Sequence, residues 1–340
     1  MLRSSCAVAR SQCSNTQCTT NRFGARLEKE QIRPTWRRRL LLLAKACWVI
    51  AVLVVAAWFL IHNRGEIRRY AESLGAVQLL ISLLAVVIGR WSLAEISRGA
   101  VAMHGIKLTS AESFSINAVS QLGKYVPGNI WHLVGRVAVY RRFGLSNRQG
   151  SGVLVVENVA LLLSGICVGF GALADLAFRL DRFASPLEVQ ALGLAAVAGT
   201  VLWLGIVPSV QWLVGGRYTF LRRLPRGPIL WGCLGLWTAF GVGFTALLPR
   251  GDISLAAFLA ATGTFSLAWV VGNLAPFAPA GIGVREVVIV ALLAPRVGTA
   301  TALGIAAGSR LVWTTAELAI APLASYHLAR ATKRYQRKVS

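Results

Sequence analysis

The 340-residue sequence is poor in charged residues, which make up 14% of it, whereas a soluble globular protein carries about 25%. So little charge cannot cover the surface of a soluble domain. Apolar residues reach 55% and mean hydropathy is +0.59, which excludes a disordered chain. Six cysteines are too few for a disulfide scaffold. The composition therefore excludes a soluble enzyme and predicts a polytopic membrane protein.

Acidic residues are scarce as well: 13 Asp and Glu stand against 36 Lys and Arg, which gives a formal net charge of +23. An excess of this size can indicate a nucleic-acid-binding protein. Here the basic residues flank apolar runs and concentrate at both ends of the chain, as in the cytoplasmic loops of membrane proteins. We therefore expect a multi-pass protein of the plasma (inner) membrane, with both termini cytoplasmic, an even number of crossings and no nucleic-acid partner.

Long apolar runs predict an all-α fold, a polytopic transmembrane bundle of about eight spans. The runs cover residues 40–61, 74–95, 151–174, 189–214, 228–248, 253–275, 282–294 and 299–325. The seventh run would make only about 20 Å of helix, against a hydrocarbon core of roughly 30 Å, so whether it spans fully is open. We divide the chain into a disordered basic tail (1–36), a transmembrane domain (37–327) and a basic cytoplasmic tail (328–340).

Two segments interrupt the helical pattern. In the first, Lys124 is followed by Pro127 and Gly128, between two apolar stretches that are each too short to cross a membrane. This pattern predicts either a re-entrant hairpin or an interfacial amphipathic helix with a turn.

The second interruption, residues 276–283, joins the sixth apolar run to the short one. A shift of 152 residues places the first interruption on the second, with leucine at positions 122 and 274 and proline at 127 and 279. Paired broken helices in the two halves of a chain indicate a transporter's binding site. Basic residues lie near both, Lys124 and Arg136 at the first and Arg285 at the second. The alternative is that these prolines merely end helices near the membrane surface.

Charged residues within apolar runs are informative because each costs at least about 2.5–3.5 kcal/mol at bilayer depth. Those near the interruptions and in the later runs are Lys124, Arg136, Glu157, Arg285, Glu286, Arg310 and Glu317. Arg310 and Glu317 share a helix face but lie about 10 Å apart, so each needs a partner elsewhere. Arg90, late in the second run, is expected to snorkel. The set predicts an ion-pair network that stabilises the bundle, a polar cavity for an anionic head group, or both.

Three stretches resemble the transmembrane domain of lysylphosphatidylglycerol synthase/flippase proteins, over roughly residues 40–325. They are residues 123–136 (GKYVPGNIWHLVGR), residues 140–144 (YRRFG) with Glu157 in the next run, and residues 279–286 (PAGIGVRE). The resemblance implies an eight-span flippase-type domain with two re-entrant or broken-helix elements and cavities for a lipid head group. The synthases carry a further soluble aminoacyl-transfer domain that has no counterpart here, so we do not expect lipid aminoacylation. Ala280–Gly281 replaces the family's usual Gly-Gly.

Motifs and intramembrane charges together give the candidate site. The predicted substrate-binding residues are Lys124, Tyr125, Trp131, His132, Arg136, Glu157, Arg285, Glu286, Arg310 and Glu317. The predicted structural positions of the two motifs are Pro127, Gly128, Gly135, Pro279, Gly281 and Gly283. The acidic residues of the predicted outer loops form no tight pair and the four histidines do not cluster in sequence, so no metal, cofactor or catalytic residue is expected.

These observations predict a lipid or lipid-linked sugar translocase that binds a phosphate head group in a cationic intramembrane cavity. The partner would be a membrane lipid or a polyprenyl-phosphate-linked substrate. No Gly-rich nucleotide-binding loop is present, so transport would be passive, ion-coupled or driven by removal of product. Enzyme activity is left open. The alternatives are a membrane-embedded glycosyltransferase or lipid-modifying enzyme, and an accessory scaffold that binds a glycosyltransferase or another enzyme of envelope synthesis.

Overall fold

A computed structural model describes residues 61–62, 64–125, 131–179, 226–249, 255–275 and 278–339, with the single positions Leu43, Cys47 and Val54. The chain divides into two compact units, Met1–Ala51 and Val52–Ser340, and every helix below belongs to the second. The predicted tail 1–36 and the apolar run 189–214 lie outside the described residues, as does most of the run 40–61.

All secondary structure in these described ranges is helical, in agreement with the predicted all-α class. The α-helices are α1 (Arg64–Ser73), α2 (Ala76–Ala102), α3 (Ser110–Gln121), α4 (Trp131–Arg142), α5 (Asn147–Arg179), α6 (Arg226–Thr245), α7 (Leu255–Leu274), α8 (Val284–Val297) and α9 (Thr299–Val339). Two short 3₁₀ turns, Leu122–Tyr125 and Pro279–Gly281, lie at the two interruptions.

Within the described ranges, four helical segments are long and apolar enough to cross a membrane. They are Ala76–Ala102, Asn147–Phe170, Gly227–Thr245 and Ala257–Leu274, and they coincide with the second, third, fifth and sixth apolar runs. A helical membrane protein is therefore confirmed at this level.

Of the last two helices, α8 agrees with its predicted run in length, whereas α9 is longer than its run. α8 has 14 residues, about 21 Å of helix, whereas α9 has 41, about 61 Å. α9 therefore continues through residues 328–339, which belong to the segment that was predicted as a tail. The reason is packing, because Leu328 and Ala331 on this extension are buried in a hydrophobic cluster.

Glycines set the packing of the long helices, because they let backbones approach closely. A Cβ at Gly89 of α2 would lie 2.3 Å from the ring of Phe240, and one at Gly263 of α7 would lie 2.5 Å from the backbone nitrogen of Ala172. The order of the contacting residues along each helix shows that α6 is antiparallel to both α2 and α7. It also shows that α5 is antiparallel to α7. α5 and α6 therefore run in the same direction.

The two ends of the bundle are built differently. At one end, Tyr70 of α1 packs on Gly304 of α9 and donates a hydrogen bond to the carbonyl oxygen of Leu247 at 2.8 Å. At the other end, the ring of Tyr335 on α9 lies 5.5 Å from that of Phe143, in the turn between α4 and α5. We call these the α1 end and the α4–α5 end. Gly304 and Tyr335 are separated by about 46 Å along α9.

Exposed basic residues are unequally distributed between these ends. Those near the α4–α5 end are Lys107, Arg141, Arg142, Arg148, Arg330, Lys333, Arg334 and Arg337. Those on α1 are Arg64, Arg68 and Arg69, and Arg68 is paired with Glu72 at 2.7 Å. The described surface is thus more basic at the α4–α5 end.

The 152-residue shift seen in sequence also relates the helices that follow the two interruptions. It carries the first residues of α4 and α5, Trp131 and Asn147, to positions 283 and 299, and α8 and α9 begin at Val284 and Thr299. α5 starts at the α4–α5 end, whereas α9 finishes there. Each interruption is therefore followed by a short helix and a long one. These two helix pairs run in opposite directions.

The close approach of α5 and α7 gives a stability prediction. Gly263→Ala should lower the free energy of unfolding by about 1–3 kcal/mol, because its methyl group meets backbone that cannot move aside. Gly152→Ala on α5, whose nearest described atom would be 4.0 Å away, is the matched control and should be neutral or slightly stabilising. Thermal denaturation in detergent measures both, and equal melting temperatures for the two variants would contradict the packing described.

Candidate functional site

The first interruption forms a helical hairpin, α3–turn–α4, that begins at the α4–α5 end. A capping box starts α3, since the Thr109 side chain accepts from the Glu112 amide and the Glu112 side chain accepts from the Thr109 amide. α3 then runs antiparallel to α2, and Ser113 Oγ donates to the Ala94 carbonyl oxygen at 2.6 Å. At the tip, Gly123 lies so close to the start of α4 that a Cβ would be 2.7 Å from the His132 nitrogen.

Lys124, in the 3₁₀ turn at the tip of this hairpin, reaches α9. Its Nζ lies 2.6 Å from Oε1 of Glu317, and Arg90 of α2 pairs with the same carboxylate oxygen. Glu317 is only 6% exposed. One buried acid therefore joins two basic side chains, which supplies the partner that the sequence required for Glu317.

The prediction that Arg90 snorkels is wrong. It lies near the middle of the candidate span Ala76–Ala102, far from either end, and its guanidinium pairs with Glu317 inside the bundle. The charge is thus balanced locally by a carboxylate and does not need to reach a water boundary.

The second interruption supplies another ion pair. Ala280, Gly281 and Gly283 have φ values of 51°, 67° and 85°, left-handed conformations that turn the chain sharply before α8. Glu286, in the first turn of α8, accepts a hydrogen bond from the Gly283 amide at 2.7 Å and pairs with Arg310 of α9. Arg310 also donates to the carbonyl oxygen of Ala280 at 3.2 Å, so it links α9 to the interruption itself.

The two interruptions meet, because the 3₁₀ turns Leu122–Tyr125 and Pro279–Gly281 are in contact. Lys124 consequently lies close enough to three arginines for their like charges to repel it. We define the cationic cluster as Arg90, Lys124, Arg285 and Arg310, together with the carboxylates Glu286 and Glu317. The sequence predicted all of these except Arg90 as site residues, and the structure brings them together.

Arg285 differs from the other cations of the cluster. Its side chain crosses Gly272, where a Cβ would be 2.4 Å from its Cγ, and its Cζ lies 5.9 Å from the ring centroid of Trp269. Its Nε is buried without a hydrogen-bond partner, and no carboxylate of the described chain is in ion-pair contact with it. The Nε of Arg285, a half-buried residue, is therefore a buried donor without an acceptor in the described chain.

Arg136 and Glu157 form a second network, in which Nε of Arg136 is buried without a hydrogen-bond partner in the described chain. They pair directly and are 1% and 3% exposed. Ser97 donates to the other carboxylate oxygen of Glu157, and Asn117 Nδ2 donates to Ser97 Oγ at 3.0 Å. The contacts of this pair fix α4 to α5, and α5 to α2 and α3. The geometry favours a structural role for Arg136 and Glu157 over contact with a substrate.

A small pocket lies between this network and the cationic cluster. Its volume is about 20 Å³, enough for about one water molecule. Arg90, Asn117 and Glu317 are among the residues that line it, and Asn117 Oδ1 is buried without a hydrogen-bond partner in the described chain. A water molecule there would connect the two networks.

Other predicted residues contribute less, or lie outside the described part. Trp131 is 48% exposed at the start of α4, whereas His132 is half-buried between the charges of Lys124 and Arg136. The positions that fall outside the described backbone or side chains are Tyr125, Pro127, Gly128 and the side chain of Pro279. Gly135 lies on α4, where a Cβ would have no described atom within 4 Å.

Sequence reasoning missed Arg90, Ser97 and Asn117. An arginine in the middle of a long apolar run was a usable signal for Arg90. The two small polar residues gave none, because their role follows only from contact between α2, α3 and α5. Within the described ranges, no group of three or more His, Cys, Asp or Glu side chains could hold a metal ion.

No family model matches the chain, and no curated protein matches it. The function of the cationic cluster must therefore be inferred from its geometry and charge.

Glu317 provides a direct test of the cluster. Glu317→Ala should lower the free energy of unfolding by about 3–5 kcal/mol, because Arg90 and Lys124 would lose the carboxylate that both contact inside the bundle. Glu72→Ala removes the acid of an exposed pair on α1 and should cost less than about 0.5 kcal/mol. Thermal denaturation in detergent compares the two, and similar losses would show that Glu317 does not balance buried charge.

Ala280 tests the left-handed turn. Ala280→Gly should stabilise the protein by about 0.5–1 kcal/mol, because relief of the left-handed strain outweighs the added chain entropy. The nearby Ala278→Gly, at a buried position outside the left-handed region, should instead destabilise it. A lower melting temperature for Ala280→Gly would contradict this description of the turn.

Proposed function

We propose that this protein is a flippase-like translocase of the plasma membrane that moves a lipid or a lipid-linked sugar. In this proposal the phosphate of the head group binds in the cationic cluster while the hydrophobic tail stays in the lipid. The supporting observation is that two interrupted helices meet inside the bundle and bring four basic side chains together around two carboxylates. Such paired interruptions are typical of transporter binding sites.

The depth of the cluster supports a re-entrant hairpin over an interfacial helix. Arg90 lies near the middle of the candidate span Ala76–Ala102, and Glu317 and Lys124 are joined to it by direct contacts. α3 has 12 residues, about 18 Å, which is enough to reach this depth from the α4–α5 end. In the proposed arrangement the hairpin enters from that end and turns back near the bilayer centre.

The directions of the helices constrain the topology of the proposed translocase. Because α5 and α6 run in the same direction, an odd number of crossings between them is needed if both span. The more basic α4–α5 end would face the cytoplasm, and the α1 end would face the opposite side.

The chemistry of the cluster is suited to a phosphate. A phosphate loses strong hydration when it enters a bilayer, and charged hydrogen-bond donors must replace that hydration. Arg285 is half-buried, its Nε is buried without an acceptor in the described chain, and its side chain lies against Trp269 and Gly272. Arg90, Lys124 and Arg310 already contact carboxylates, so Arg285 would be the principal ligand.

The resemblance of residues 123–144 and 279–286 to the synthase/flippase transmembrane domain agrees with this proposal, which does not depend on it. A membrane-embedded glycosyltransferase and an envelope-synthesis scaffold remain the competing functions. No specific contact of the described chain favours either of them.

Lipid transfer in proteoliposomes tests the proposal. The full chain would be reconstituted with fluorescent short-chain phosphatidic acid or phosphatidylglycerol, and the label that becomes accessible in the opposite leaflet would be followed over time. Arg285→Ala should slow transfer about 10- to 100-fold, because a hydrogen bond to a charged group contributes about 1.5–3 kcal/mol. Arg148→Ala, at an exposed position on α5, should leave the rate unchanged.

Three results would contradict the proposal. Transfer of both lipids at the rate of protein-free liposomes would reject the translocase. Transfer that is unaffected by Arg285→Ala would reject the cationic cluster as its route. Sugar transfer from a lipid-phosphate donor by the purified protein would replace the translocase with the enzymatic alternative.

A further inference from the structure

The charges of the cationic cluster do not balance. Four basic side chains face two carboxylates, so two positive charges remain among the described residues. The undescribed residues next to the two 3₁₀ turns in sequence are 126–130 and 276–277. They include no acidic residue that could change this balance of charges. The adjacent pair Arg136 and Glu157 is neutral by itself.

This excess positive charge lies deep in the bundle, where burying a charge costs free energy. Arg90 is near the middle of a candidate span, and its contacts place Glu317 and Lys124 beside it. Each uncompensated charge at that depth is costly, and like charges held close together also repel one another. A ligand with two negative charges would neutralise the cluster, whereas a ligand with one would leave a positive charge buried.

We infer that the cationic cluster selects a doubly charged phosphate, either a phosphate monoester or a diphosphate, over the singly charged phosphodiester of ordinary phospholipids. This inference rests on the proposed function, in which the cluster binds a phosphate. An aminoacylated head group, which adds positive charge, is disfavoured by the same count. The selection depends on Arg285, the cation of the cluster that has no carboxylate of its own in the described chain.

A matched pair of lipids tests the inference. Phosphatidic acid is a monoester and phosphatidylglycerol a diester, and both can carry the same acyl chains. At pH 8 the monoester is close to doubly charged, because its second pKa lies near 6. Binding to the purified full chain would be measured by native mass spectrometry, with zwitterionic phosphatidylcholine as the baseline. We expect phosphatidic acid to bind at least about tenfold more tightly than phosphatidylglycerol, which corresponds to about 1.4 kcal/mol.

Variants at Arg285 assign the preference to the cluster. Arg285→Gln removes one positive charge and should reduce the preference to less than about threefold, whereas Arg285→Lys keeps the charge and should retain most of it. Arg148→Gln is the exposed control and should bind as the unaltered protein does. Melting temperatures would show that each variant is folded, and the lysine variant keeps the test valid if the glutamine variant is not. For the unaltered protein, the preference should also disappear at pH 5, where the monoester is singly charged.

The outcomes separate this inference from the proposed function. Equal binding of both anionic lipids, weakened by Arg285→Gln, would overturn the selection for two charges but leave the phosphate site. Binding of neither lipid above phosphatidylcholine, or binding insensitive to Arg285, would overturn both. Displacement of phosphatidic acid by an equal concentration of glycerol 3-phosphate would support selection for a doubly charged phosphate, but would show that the ligand is water-soluble and so would reject lipid transport.

Discussion

The need to balance charge inside an apolar bundle determines much of this structure. Glu317 is the clearest case, because one buried carboxylate contacts both Arg90 and Lys124. Through it, the tip of the α3–α4 hairpin is joined to α2 and α9. A bundle that held only one of these three charges would leave it buried and uncompensated, at a cost of several kcal/mol. The hairpin and the two long helices must therefore fold together.

The base and the tip of the α3–α4 hairpin differ in their charge balance. Its base is fixed by Arg136 and Glu157, which are almost fully buried and are linked to Ser97 and Asn117 by hydrogen bonds. Its tip ends in a region with more positive than negative charge, where the second interruption contributes Arg285. In the proposed function, a bound phosphate would balance this excess positive charge, and its release would restore the excess.

Much of the fold could be predicted from sequence, since hydropathy locates the apolar helices and Pro/Gly interruptions locate the turns. The membership of the cluster was also largely predictable, because charges such as Glu317 and Arg310 stand out in apolar runs. Which charges pair was not, because the partners are 24 to 227 residues apart in the chain and meet only through packing. The extension of α9 was missed for a similar reason: Leu328 and Ala331 become a core face only when the α4–α5 turn packs on them.

Each interruption is followed by a pair of helices, one short and one long. The two pairs have the same spacing in sequence but differ in which helix carries the positive charge. In the first, the short helix provides the cation and the long helix the anion, as Arg136 and Glu157. In the second the roles are exchanged, with Glu286 on the short helix and Arg310 on the long one. Because of this exchange, the short helix of either pair would meet a like charge on the long helix of the other, so each short helix is suited only to its own partner.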